Sequence, residues 1–232
     1  MAKIAIVGLW LAVGMAANVY ADTATKAPNF VDAKKHIPDL DVDMRYYSEN
    51  NFIGARIDGY QAPLCLLTES AASALKQAHT RLKTFGLRLK VFDCYRPQQA
   101  VDHFARWAKD SDDTKMKAQY YPDVPKSLLF ARGYIAERSG HSRGSTVDAT
   151  IIDSFSGREL DMGSSWDFFS KISWPSYPYL TVQQRTNRAL LAATMAEAGF
   201  TGLSEEWWHF SLNNEPYPED YFNVAVSPSA AQ

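Results

Sequence analysis

Two short stretches hold most of the side chains able to do chemistry, Ser139-Gly-His-Ser-Arg-Gly-Ser-Thr-Val-Asp148 and Glu205-Glu-Trp-Trp-His209. Together they offer two imidazoles, an aspartate at a fixed offset from the first, and a glutamate close before the second. An open zinc site with a general base needs that set: three protein ligands, a position left for water, and a carboxylate to take the water's proton. The expectation is that His141, Asp148 and His209 hold one Zn2+ per chain and that Glu206 works on the water. The chain has only two cysteines, Cys65 and Cys94, so a thiolate-rich site is not available and a metal must sit on His and carboxylate.

Each residue also has a plainer reading. Asp148 lies between Val147 and Ala149 in an apolar run, where a carboxylate is costly unless paired or metal-bound. The alternative is an edge-strand Asp facing water beside a loop His. Glu206 and His209 are three apart, and on a regular strand an odd offset puts them on opposite faces. They can share a metal only if Glu206 precedes the strand, on a turn or bulge. Trp207 and Trp208 would lower the local dielectric and raise the pKa of a nearby base. Glu205 competes for that role, and spacing does not decide between them. Arg96 precedes Pro97, which keeps it out of the helical region at a strand-to-helix corner. A guanidinium there can stabilise an oxyanion, or simply pair with Asp93.

The elements that must position these residues follow from periodicity. Leu40, Val42, Met44 and Tyr46 alternate with polar residues and predict a strand. Thr68 caps a helix whose apolar face is Ala71, Leu75, Ala78 and Leu82, closed by Gly86. A strand over 87–93, a helix after Pro97, a strand over 146–152, a helix over 183–198 and a strand over 207–212 follow. Residues 110–126 read as a surface excursion and 161–179 as a structured loop. Helices and strands do not alternate as a βαβ series, which predicts an α+β single domain: a small, mostly antiparallel or mixed sheet with packed helices and the zinc site on loops and strand ends.

The chain has 232 residues, 46% hydrophobic and 22% charged, with a net charge of −2. It carries no basic stripe of the kind a nucleic-acid partner requires. Lys3, the apolar run to Ala17 and Val19-Tyr-Ala21 predict a signal peptide over 1–21, hence an exported, periplasmic protein with no membrane anchor after cleavage. Residues 22–36 read as a flexible leader, with the domain over 37–232. In an exported protein a pair of cysteines predicts a Cys65–Cys94 disulfide.

The two motifs, with Tyr95-Arg-Pro97, Met162-Gly163, Trp166-Asp167, Tyr46 with Asn51-Phe52, and Glu215-Pro-Tyr-Pro218, resemble the zinc D-alanyl-D-alanine dipeptidases of the vancomycin-resistance type. Those belong to a wider group of zinc D,D-peptidases that includes D,D-carboxypeptidases and L,D-endopeptidases. The similarity runs from about Asp41 to Phe222. It implies His141, Asp148 and His209 as ligands, Glu206 rather than Glu205 as base, and Arg96 at the tetrahedral intermediate. It also implies Asp167 as the acid that binds the ammonium of a small dipeptide, with Tyr46 and Ser139 lining the substrate pocket. Two features depart from the family pattern. Cys94 replaces a Gly and Cys65 has no counterpart, and the signal peptide is additional, which points to dipeptide scavenging or wall turnover outside the membrane. A cell-wall peptidase acting on longer peptides and a non-catalytic zinc-stabilised binding module are the alternative readings.

Overall fold

The computed structural model describes residues 28–231. The expected signal peptide and the start of the leader lie outside the described residues. Among those described, no helix is long and apolar enough to cross a membrane.

A five-stranded mixed sheet organises the chain, in the order β2-β4-β5-β7-β6. Its strands are β2 (Asp41–Val42), β4 (Leu87–Asp93), β5 (Thr146–Asp153), β6 (Phe200–Gly202) and β7 (His209–Leu212). β2 runs parallel to β4, and the other pairings are antiparallel. A second, two-stranded sheet pairs β1 (Phe30–Asp32) with β3 (Leu66–Thr68). β5 is the central strand, and its residues from Thr146 to Ile152 are buried, as a strand covered on both faces must be.

Two long helices form as their patterns dictate. In α2 (Glu69–Lys83) the Thr68 hydroxyl accepts from the Ala71 amide, and Ala71, Leu75, Ala78 and Leu82 are buried. Truncating Leu82, which is fully buried, costs about 2–5 kcal/mol. α5 (Val182–Glu197) starts with a capping box between Thr181 and Gln184, which satisfies two otherwise orphaned amides. α3 (Gln98–Lys109) begins after Pro97, which serves as its N-cap. α1 (Ala33–His36) and α4 (Lys117–Tyr120) are single turns.

Three expectations need correction. The strand over 40–46 is only two residues long, because the chain turns into a 3-10 segment at Arg45–Tyr47 that buries Tyr46. The final strand starts at His209 rather than Trp207. Residues 30–36, expected within a flexible leader over 22–36, belong to the fold: Phe30 and Ala33 are buried, and the stretch forms β1 and α1. Short β1, β3 and β6 carried too few residues to show a period.

Cys65 and Cys94 form a disulfide, with Cα atoms 5.1 Å apart and a sequence separation of 29. Closing a loop of that length stabilises a fold by about 3–4 kcal/mol in the chain-entropy account.

Candidate metal centre

The sheet register brings the first chemistry together. Across three neighbouring strands, Asp93 stands opposite Asp148, and Asp148 stands opposite His209. Directly opposed residues share a face and lie close enough to interact. His141 comes from a 3-10 turn, Gly140–Arg143, that leads into β5. The turn closes on Gly144, at φ +80°, where a Cβ would lie 2.2 Å from the Phe30 ring. The left-handed conformation and this close approach both require glycine.

The result is a tight triangle of donor atoms. His141 Nε2 lies 3.2 Å from His209 Nδ1 and 3.2 Å from Asp148 Oδ1, and His209 Nδ1 lies 3.2 Å from the same Asp148 oxygen. Donors bound at about 2.0 Å in a tetrahedral set stand roughly 3.3 Å apart, so the spacing fits zinc. The protonation pattern fits as well. His141 Nδ1 lies 2.7 Å from the Cys94 carbonyl oxygen. A carbonyl only accepts, so Nδ1 carries the proton and Nε2 presents a lone pair. Asp148 Oδ2 accepts from the Trp166 indole at 3.1 Å, whereas buried Asp148 Oδ1 has no hydrogen-bond donor. Lone pairs and an unsatisfied carboxylate oxygen converging on one point call for a cation. Among the described residues this is the one group of three His, Cys, Asp or Glu side chains close enough to hold an ion.

Glu206 lies beside the triangle. β7 begins only at His209, so Glu206 lies before the strand, ahead of the turn at Trp207 and Trp208, and the odd offset is resolved as the spacing requires. Its Oε2 is 3.6 Å from His209 Nδ1. Burial pushes the Glu206 carboxyl up to about 8, the Asp148 charge adds to this, and Arg96 and His141 oppose it. Burial alone would raise the Asp148 carboxyl too, but His141 and His209 hold it well below the carboxylate range. Glu205 is hydrogen-bonded by the Ser204 hydroxyl and does not line the cavity.

Arg96 makes the expected pair with Asp93. Its Nε donates to Asp93 Oδ2 at 2.9 Å, a buried ion pair that fixes the guanidinium, while Nη1 reaches Ser139 Oγ at 3.4 Å. The guanidinium carbon stacks 4.9 Å from the Tyr46 ring centre. Arg96, Tyr46, Ser139, Asp167 and Glu206 all line the same cavity of about 220 Å³ as the triangle. That is smaller than the roughly 300–1,000 Å³ of pockets for drug-sized ligands.

Asp167 faces this cavity in a costly state. It is buried, accepts from the Tyr46 hydroxyl at 2.6 Å, and has φ +56°. A non-glycine residue in the left-handed region persists only where its surroundings hold it there. The loop carrying it is fastened by α5. Arg188 donates to the carbonyls of Met162, Trp174 and Ile172, at 2.6, 2.9 and 2.8 Å. Burial pushes the Asp167 carboxyl well up, and the Asp148 charge adds to it. Among the described residues no cationic side chain forms a salt bridge with Asp167, which lines the cavity.

Sequence reasoning missed two contributors. Gly133, Tyr134, Ile135, Ala136 and Arg138 form a cavity wall from an irregular stretch with no periodic signal. Asp93 is more than a partner for Arg96. It also accepts from the Tyr60 hydroxyl at 2.6 Å, and its Oδ2 lies 3.5 Å from His141 Nδ1. Its place in an apolar strand was the available signal.

Comparison with known proteins covers most of the chain. The family model described as D-ala-D-ala dipeptidase, Peptidase_M15, matches residues 26–227. A D-alanyl-D-alanine dipeptidase of Enterococcus faecalis is 39% identical over 80% of this chain and 92% of its own length. One from Streptomyces coelicolor is 38% identical over 80% and 92%. One from Escherichia coli is 35% identical over 85% and 93%. Among solved structures, the vancomycin resistance D,D-pentapeptidase VanY in complex with Zn(II) overlaps 64% of this chain and 74% of its own, at 15% identity and a TM-score of 0.34, too loosely to bear on the site. With a family model spanning residues 26–227 and relatives of this identity matched over nine-tenths of their length, the chain belongs to the Peptidase_M15 family of D-Ala-D-Ala dipeptidases.

Proposed function

We propose that this protein is a zinc metallopeptidase that hydrolyses free D-alanyl-D-alanine to two D-alanines. The observation that carries the reading is the 3.2 Å triangle of His141, Asp148 and His209 donors, with Glu206 at its edge. Family membership supplies the substrate. A zinc ion held by those three side chains supplies Lewis-acid polarisation of a carbonyl and lowers the pKa of water.

The chain's own residues do the rest. Glu206, at the edge of the triangle and with its proton affinity raised by burial, takes the proton of the attacking water and passes it to the leaving amine. Arg96, immobilised by Asp93, turns donors toward the carbonyl oxygen as negative charge grows on it. Asp167, held at the cavity wall by the Tyr46 hydroxyl, takes the ammonium of the dipeptide. Ser139 and Tyr46 complete the pocket.

A cell-wall carboxypeptidase or endopeptidase would need room for a chain extending past the amino end. The small cavity and the buried acid at its wall favour a free dipeptide. We further propose that the protein is exported to the periplasm, through a signal peptide over 1–21, and acts there on dipeptide released outside the membrane, in scavenging or wall turnover. The test is incubation of the mature protein with D-Ala-D-Ala, L-Ala-L-Ala and a muropeptide, with and without chelator. Chelator-sensitive cleavage of D-Ala-D-Ala alone is expected. Preference for the muropeptide would move the assignment to the longer-substrate peptidases, and zinc binding without any hydrolysis would make the protein a binding module.

A further inference from the structure

The carbonyl that orients His141 belongs to one half of the disulfide, on a stretch of chain held by contacts outside the sheet ladder. Cys94 follows the last residue of β4, beyond a register shift between Val91 and Asp93. The regular ladder therefore does not position the Cys94 carbonyl. The segment is tied by the bond to Cys65, next to β3, by the Tyr95 amide donating to the Leu66 carbonyl at 2.9 Å, by the Tyr95 hydroxyl donating to the Val224 carbonyl at 2.9 Å and by the Arg96 amide donating to the His141 carbonyl at 3.2 Å; of these, only the disulfide is a covalent link at Cys94 itself. Cys65 is itself fastened, its carbonyl accepting from the Ala33 amide at 2.8 Å. Both half-cystines are fully buried, at 0% and 1% exposure, so the bond is a permanent brace rather than one that solvent reductants reach.

His141 Nδ1 has a competing acceptor. The Cys94 oxygen stands at 2.7 Å and the Asp93 carboxylate at 3.5 Å. If the carbonyl drifts, the imidazole can swing its N–H toward Asp93, and Nε2 leaves the point it shares with Asp148 and His209.

We propose that the Cys65–Cys94 disulfide is a positioning clamp for the metal centre, holding the Cys94 carbonyl that fixes the tautomer and ring angle of His141. The inference rests on the reading of His141, Asp148 and His209 as metal ligands. Partners of a metal-bound imidazole typically contribute about 10–100-fold to metal affinity.

The experiment measures zinc affinity by competition with a chromophoric chelator, well below the melting temperature, for wild type and the Cys65→Ala/Cys94→Ala pair. Zinc binding weaker by about tenfold or more is expected, with KM for the dipeptide at saturating zinc close to wild type. A bond that only stabilises the fold lowers Tm and leaves zinc affinity unchanged. An affinity within threefold of wild type in the folded variant therefore overturns the proposal. Should the pair not fold, wild type reduced by a water-soluble phosphine under mildly destabilising conditions, then returned to buffer, provides the comparison. A dithiol is avoided because it binds zinc itself. Wild type that binds no zinc would overturn the metal-centre reading, an outcome distinct from a clamp that makes no difference.

Discussion

The two sides of the cavity are built by different means. On the metal side, Asp148 and His209 are opposed across regular strand pairing, and His141 is braced by a carbonyl. On the substrate side, Asp167 and the wall of Tyr134, Ile135 and Arg138 lie on irregular chain, and side-chain-to-backbone bonds replace a ladder. The loop from Met162 to Trp174 hangs on the Arg188 guanidinium, and the Trp207 indole donates to Ser164 Oγ at 2.9 Å. Donor positions for a metal tolerate errors of only tenths of an ångström, which paired strands supply. Recognition of one substrate among related peptides depends on shape and charge at the wall, which loops can vary without disturbing the strands.

Breaking the metal side is expected to have the largest effect. His209→Ala removes one apex of the triangle and leaves Asp148 Oδ1 with one fewer partner. Since the metal contributes several kcal/mol to the transition state, kcat/KM should fall about 10³-fold or more. Metal analysis should show loss of zinc from the purified variant. A variant that kept both zinc and turnover would remove His209 from the site. Glu206→Gln comes next, because it takes the proton acceptor and leaves the donors in place. Turnover should fall about 10²–10⁴-fold with zinc content unchanged. Near-wild-type turnover would return Glu205 to consideration.

That contrast also explains what could be read from the chain. His141, Asp148, Glu206 and His209 stand out because a metal site imposes residue types at fixed offsets, and the odd step from Glu206 to His209 required Glu206 to precede the strand, though not that β7 begin as late as His209. The helices over 69–83 and 182–197 were legible from their apolar periods, and the first also from its capping Thr68. Asp167 was readable only through resemblance. Its left-handed φ and its bond to Tyr46, 121 residues away, are products of tertiary packing that no local pattern encodes. The 133–138 wall and the role of the Cys94 carbonyl were invisible for the same reason: the first has no period, and the second is backbone. Strand β2 was overextended because alternation persists through Tyr46, while packing against Phe104 and Trp166 turns the chain into a 3-10 segment instead.

Asp167→Asn sharpens the comparison from the substrate side. The amide keeps the size and still accepts from Tyr46, but it no longer offers a charge to an ammonium. A charge-assisted hydrogen bond contributes about 1.5–3 kcal/mol, so kcat/KM should fall roughly 10–100-fold. Zinc affinity should stay at the wild-type value. The ratio of activity on D-Ala-D-Ala to that on its N-acetyl derivative should narrow by a similar factor. An unchanged ratio would mean that Asp167 holds the loop and does not read the substrate.

Arg188→Lys has the smallest expected effect on turnover and is the most direct probe of how the loop side is held. The guanidinium is buried and meets three carbonyls in one plane, with no carboxylate in contact. Burial accordingly pushes its pKa down to about 10, with Asp161 opposing. A lysine keeps the charge but directs its donors from a single nitrogen, so it cannot reach Met162, Ile172 and Trp174 together. At least one buried carbonyl then loses its donor, which costs about 1–3 kcal/mol of stability and should lower Tm. The loop carrying Asp167 gains freedom, so KM should rise about threefold to tenfold through poorer positioning, with kcat little changed. The donor triangle lies on other elements, so chelator competition should give the wild-type zinc affinity. A fall in zinc affinity as large as the rise in KM would show that the two sides of the cavity are one mechanical unit, because Trp166 on this loop also donates to Asp148.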